Sequence, residues 1–135
     1  MDCPACRKPL VVVERDRIEL DWCVECSGLW FDDGELELLA ENTGRRLDPE
    51  DVGRDSRLSH GEKTRACPRC DQVMEKALVG RQQPVLVDRC EDHGFWLDRG
   101  ELGRIVRQLS PSSGSDEAVI IRFLGETFSV ADQPL

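Results

Sequence analysis

Two in-register copies of a cysteine-rich segment, four paired-ligand half-sites and a shortage of large side chains predict a small metal-stabilised α+β fold. Each copy is expected to form a short β-hairpin carrying two ligand turns, followed by a short helix. The 135 residues include no Tyr, four Phe and three Trp, so burial alone offers little to build a core. Units of about 40 residues generally need a metal or disulfides to fold. Seven cysteines supply the means.

The repeat is read by setting Cys3 to Asn42 above Cys67 to Gln108. Each copy opens with Cys-Pro-x-Cys, at Cys3 to Cys6 and Cys67 to Cys70, and later reaches Asp-x-Cys, at Asp21 to Cys23 and Asp88 to Cys90. Each closes alike, with Gly28-Leu29-Trp30-Phe31-Asp32-Asp33-Gly34-Glu35-Leu36 matched by Gly94-Phe95-Trp96-Leu97-Asp98-Arg99-Gly100-Glu101-Leu102. Order repeated over that length marks a tandem repeat. The expected organisation is a first module at 1–43, a charged linker at 44–66, a second module at 67–109, a Ser/Gly/Pro linker at 110–117 and a tail at 118–135.

Leu10 to Val13, Ile18 to Trp22 and Val85 to Val87 are short β-prone stretches between the ligand pairs and read as hairpin strands. Asp32 and Asp98 each precede a Glu by three residues, Glu35 and Glu101, the acidic form of a capping box at a helix start. Leu36, Leu38 and Leu39 then give the first helix an apolar face before Thr43-Gly44. Leu102, Ile105, Val106 and Leu109 do the same for the second before Ser110-Pro111. The linker mixes Arg, Asp and Glu with little apolar content, and is expected to let the modules move independently. Ala118 to Leu124 and Thr127 to Val130 resemble two strands turned at Gly125-Glu126. A lone hairpin is marginal in water, so this one should dock on a module or on another chain, a place for a homodimer contact.

The start Met1-Asp2-Cys3-Pro4 has neither the basic stretch nor the apolar run of a secretory signal, and no apolar run approaches a membrane span. The expected compartment is the cytoplasm, where paired cysteines point to metal or redox chemistry rather than disulfides. Spacing favours metal. Cys3-x2-Cys6, sixteen residues and Cys23-x2-Cys26 have the spacing of a four-cysteine zinc site. Cys67-x2-Cys70, nineteen residues and Cys90-x2-His93 give a set of three cysteines and one histidine, and the two sets use every cysteine. Two Zn²⁺ per chain are expected. Cys26 lies four residues before Trp30 but His93 only three before Trp96, so a one-residue deletion falls beside His93 and could align it with Ser27. His60 stands in the linker with no cysteine nearby. A redox Cys-x-x-Cys normally stands alone in a larger α/β domain, which disfavours that reading. Iron in the four-cysteine set has the same ligand chemistry.

These motifs, Cys-Pro-x-Cys, Asp-x-Cys and Gly-φ-Trp-φ-Asp-x-Gly-Glu-Leu, resemble the transcription factor IIB-type zinc-finger (zinc-ribbon) domain of small, mostly bacterial proteins. Both copies match, and neither linker nor tail is covered. The resemblance implies a zinc-ribbon fold with ligands at Cys3, Cys6, Cys23, Cys26, Cys67, Cys70 and Cys90. His93 departs from the family's usual fourth cysteine.

The formal charge of −9 counts thiols as neutral; seven thiolates subtract seven and two Zn²⁺ add four, giving −12. A field that negative disfavours nucleic acid, whose affinity rests on phosphate neutralisation. Basic residues at Arg45-Arg46, Lys63, Arg65, Arg69, Arg99, Arg104 and Arg107 read as solvated surface, without an aromatic stacking strip. Trp30 and Trp96 should pack on their ligand turns, whereas Trp22, replaced by Arg89 in the second copy, is the better candidate for an exposed contact. The acid pairs Asp32/Glu35 and Asp98/Glu101 are explained by capping, and closed metal sites leave no position for substrate. A non-enzymatic protein-interaction adaptor is therefore expected first. A transcription-associated module docking on RNA polymerase or nucleic acid comes second, and a thiol or metal-handling protein third.

Overall fold

Short β-branched and apolar stretches form two antiparallel hairpins, β1 (Val11–Arg15) with β2 (Ile18–Trp22), and β6 (Glu75–Val79) with β7 (Val85–Cys90). The computed structural model of the chain describes residues 1–15, 17–54 and 64–111. The motif around each tryptophan forms a third strand, β3 (Leu29–Asp32) and β8 (Gly94–Leu97), and each lies beside its hairpin. Strands β3 and β8 also pair with one another, Leu29 with Leu97, Trp30 with Trp96 and Phe31 with Phe95. Trp30 and Trp96 occupy the same place in the repeat, so this seam is a local two-fold axis. The result is one seven-stranded sheet in the order β1-β2-β3-β8-β7-β6-β5.

That continuity overturns the expected independence of the modules. A strand with both edges hydrogen-bonded and every side chain largely buried cannot separate without leaving backbone groups and apolar area unpaired. The seam residues Leu29, Trp30, Phe31, Trp96 and Leu97 are all buried.

Helices α1 (Glu35–Asn42) and α2 (Glu101–Gln108) cover one face of the sheet. Leu36, Leu39 and Ala40 of α1, and Leu102, Ile105 and Val106 of α2, join Ile18, Leu20, Phe31, Val87 and Leu97 in the larger core. Leu38, expected in the apolar face of α1, is 43% exposed and Ala40 is buried in its place. The three- and four-residue steps from Leu36 reach Leu39 and Ala40 and leave Leu38 on the solvent side. The expected caps also differ. Gly34 and Gly100 precede the helices in left-handed conformation, with no side-chain cap. Only the reverse half of the box survives, as Asp98 N–H donates to Glu101 Oε1 at 2.7 Å.

Residues 44–54, expected to be linker, carry structure because the opposite module offers them an edge. Strand β4 (Arg45–Arg46) pairs with β9 (Ser110–Pro111), a 3₁₀ turn spans Pro49–Asp51, and β5 (Val52–Arg54) pairs with β6 of the other module. Arg81, in the β6–β7 turn, clamps this crossover by donating to Asp51 Oδ1 at 2.7 Å and Asp48 Oδ2 at 3.3 Å. The remaining linker residues 55–63, with His60, and the tail 112–135 lie outside the described residues. Among the described residues no helix is long and apolar enough to cross a membrane.

Candidate metal centres

The two ligand sets sit on the sheet face opposite the helices. Each begins in a tight turn before the first hairpin strand and is completed by the turn leaving the second. In the first turn Cys3 N–H donates to Lys8 O at 2.7 Å and Arg7 N–H to Cys3 O at 2.9 Å; in the second copy Cys67 N–H donates to Gln72 O and Asp71 N–H to Cys67 O. Arg7 and Asp71 both take positive φ, 65° and 63°, which turns the chain back on itself and leaves both sulfurs of the pair on its inner side. Backbone N–H groups of Ala5 and Cys6 point at Cys3 Sγ, 3.3 and 3.2 Å away, and that of Arg69 points at Cys67 Sγ at 3.3 Å. Such N–H···S contacts stabilise thiolate.

Cys3, Cys6, Cys23 and Cys26 form one cluster, and Cys67, Cys70, Cys90 and His93 the other, with donor atoms in each lying within 4.8 Å of one another. Cys3 and Cys26 sulfurs are 3.7 Å apart, and Cys70 and Cys90 sulfurs 3.8 Å. Four sulfurs about 2.3 Å from a tetrahedral Zn²⁺ stand about 3.8 Å from each other, so the spacing fits the ion and excludes a disulfide. His93 Nδ1 lies 3.4 Å from Cys90 Sγ and 3.9 Å from Cys67 Sγ. A tetrahedral sulfur–nitrogen edge on zinc is about 3.6 Å, so Nδ1 is the imidazole atom that fits. The second site accommodates the one-residue deletion in its last turn. Ser27 N–H closes the first copy's turn on Cys23 O, with φ 63° at Ser27, whereas His93 N–H closes the shorter turn on Cys90 O at 3.1 Å.

A family model described as transcription factor zinc-finger matches residues 2–42 and again 66–108, more than half of the chain. The chain belongs to that family. It carries two zinc sites on two tandem zinc ribbons. No curated protein and no solved structure matches it.

Without the ion, three of the zinc-finger thiols resist ionisation. Burial pushes Cys3, Cys26 and Cys67 up to about 11, against the opposing backbone N–H groups. Zn²⁺ must therefore displace protons as it binds, and its affinity weakens as the pH is lowered. Burial also opposes ionisation of Cys23, but donation from the Cys26 and Glu25 backbone outweighs it and moves that thiol down.

Trp30 and Trp96 are fully buried and pack with Cys3, Cys23, Cys67, Cys90 and Met74 in a second core between the metal centres and the sheet. Trp22, the better candidate of the three for an exposed contact, is half-buried against the helix-side core, because it shares a strand face with Ile18 and Leu20. Its indole N–H has no partner among the described residues.

Asp32 and Asp98, expected as helix caps, instead hold the tryptophans. Trp30 Nε1–H donates to Asp32 Oδ1 at 2.9 Å and Trp96 Nε1–H to Asp98 Oδ1 at 3.2 Å. Arg69, between the ligands Cys67 and Cys70, forks onto Asp32 across the seam, its Nη2 lying 2.8 Å from Oδ2. The guanidinium holds the Asp32 carboxyl below its usual range. Arg65 meets Asp98 at 2.9 Å. Asp33 N–H donates to the carbonyl of His93 at 2.9 Å, so a ligand residue of the second centre is fastened to the first module. The Asp-x-x-Glu spacing suggests capping; the two-residue Trp-to-Asp spacing, repeated in both copies, is the signal that points to the indole contact.

Proposed function

We propose that this protein is a non-catalytic protein-interaction adaptor whose two zinc ions fasten a single rigid sheet. The observation that carries the reading is the enclosure of each metal position by four protein donors, which leaves a tetrahedral ion no site for water or substrate. Zinc in such a set supplies folding free energy, and function falls to the surface it holds in shape. That surface is acidic overall, with a formal charge of −9 before metal is counted. It also presents single exposed valines beside the ligand turns, Val24 at 55% and Val73 at 68% exposure. An acidic surface with apolar points suits a basic protein partner.

Membership of the transcription factor zinc-finger family favours a second reading, a module that docks on RNA polymerase or nucleic acid. Salt separates the two. An adaptor retains a specific protein partner from its native cell as ionic strength rises, while a nucleic-acid reader loses its ligand steeply with salt. Capture by the tagged zinc-loaded protein, compared with Cys6→Ser, tests the adaptor reading. A wild type that retains nothing beyond the Cys6→Ser control refutes it.

A further inference from the structure

Among the described residues the two hairpins differ at their outer edges. Strand β6 is flanked by β5, which arrives from the opposite module after α1. Strand β1, its counterpart, has β2 on one side and no strand on the other among the described residues. Val13 and Glu14 are half-buried and exposed there, whereas their counterparts Ala77 and Leu78 in β6 are buried and half-buried, and Val11 and Val12 add two exposed apolar side chains to the open strand. An open, valine-rich edge invites another strand.

The repeat says which one. The copies are offset by 64 residues through the first hairpin strand, Cys3 matching Cys67, and by 66 from the tryptophan onward, Trp30 matching Trp96. Arg45 and Pro111 are therefore the same position in the two copies, and they pair with each other through β4 and β9. The chain leaving α2 thus crosses the axis as the chain leaving α1 does. Seven residues after Arg45 comes Val52, which opens β5; seven after Pro111 comes Ala118, which opens Ala118-Val119-Ile120-Ile121-Arg122. Arg81 and Asp51 secure the β5 crossover; counted from the ends of β6 and β1, Arg81 corresponds to Arg17 of the shorter β1–β2 turn, and counted from the tryptophans Asp51 corresponds to Glu117.

We propose that the free edge of β1 takes residues 118–122 of this same chain as an antiparallel strand, with Ile120 opposite Val13, extending the sheet to eight strands. The Val52↔Val79 register of β5 on β6, carried over by the two offsets, sets Ala118 against Arg15 and Ile121 against Val12. The sheet would then be closed at both ends by crossed segments.

The test uses the full-length zinc-loaded protein. NMR cross-strand contacts between Ile120 and Val13 are expected, and in a mixture of differently labelled chains they must be intramolecular. Hydrogen exchange of the outward amides of β1 should accelerate roughly tenfold or more in Ile120→Pro, with zinc content unchanged and Ile120→Val like wild type. Glu117→Lys should accelerate the same amides, and adding Arg17→Glu should restore them. Exchange unaffected by Ile120→Pro overturns the proposal. So do contacts found only between chains, which would make the edge a dimer interface.

Discussion

Replacing Gly94 by Ala tests whether the two zinc ribbons are one mechanical unit. Gly94 ends the seam, pairs with Asp32 and directly follows the ligand His93. It has φ +149°, and a Cβ there would lie 2.0 Å from the backbone oxygen of Phe31. Ordinary carbon–oxygen contacts stand at about 3.3 Å or more, so β3 and β8 must part by roughly 1 Å or the residue must leave its conformation. The obstacle is backbone rather than a mobile side chain. Backbone strain of about 1–3 kcal/mol, with at least one seam hydrogen bond weakened, gives an expected loss of about 3 kcal/mol. With a urea m-value of about 1.5 kcal/mol/M, the unfolding midpoint should fall by about 2 M. Gly34→Ala is the control, since Gly34 has φ +89° but nothing within 4 Å, and should cost only about 1 kcal/mol. The assay is equilibrium urea unfolding of the zinc-loaded proteins, alongside competition with a chelator. Loss in Gly94→Ala should fall on both metal centres, because Asp33 N–H and the Phe31 strand tie the second centre to the first. A midpoint within about 0.3 M of wild type, or a variant no worse than Gly34→Ala, would refute the account of the seam.

Other perturbations read the metal centres and the core separately. Complete chelation removes roughly 10–16 kcal/mol per structural site and should abolish the near-UV dichroism of Trp30 and Trp96, which lie among the ligands; a surviving signal refutes a structural role for the metal. His93→Ala should lower the zinc content from two to one per chain while Cys3, Cys6, Cys23 and Cys26 keep theirs. Retention of two ions by that variant excludes His93 as a ligand. Burial pushes Glu101 from 4.5 up to about 7 in the fold. Between those values the native chain holds a proton that the unfolded chain has lost, so its contribution to stability diminishes as pH rises and is gone above about 7, at most about 3 kcal/mol. Glu101→Gln keeps an acceptor for Asp98 N–H and should overtake wild type as pH rises from 5 to 8. Parallel stability curves for the two proteins would show that Glu101 stays ionised.

The metal centres are legible in the sequence because their determinants are local. A Cys-x-x-Cys turn carries its own geometry, and β1, β2 and β7 announce themselves through Val, Ile and Leu. The seam is not. Strands β3 and β8 are four residues each and buried on both faces, so Leu29-Trp30-Phe31 and Phe95-Trp96-Leu97 lack the alternation that marks a half-exposed strand. Their pairing joins residues more than sixty positions apart, which no spacing rule reaches. The crossover at 44–54 reads as linker for the same reason, since Val52-Gly53-Arg54 becomes a strand only because β6 supplies the partner. The Asp-x-x-Glu spacing misleads because Gly34 and Gly100 intervene at the true helix start. Tryptophan packing on the ligand turns, by contrast, follows from its equal placement in both copies.

The pairing of Trp30 with Trp96 has a consequence beyond stability. Each contact across the seam is answered by its mirror, Leu29 on Leu97 by Phe95 on Phe31, which is the self-complementary geometry by which two identical subunits make a closed dimer. Joined in one chain, the halves meet at an effective concentration that dilution cannot lower. They are also freed from being identical, and the differences between them, His93 for a fourth cysteine and Arg89 for Trp22, are ones that no symmetric dimer of a single ribbon could hold.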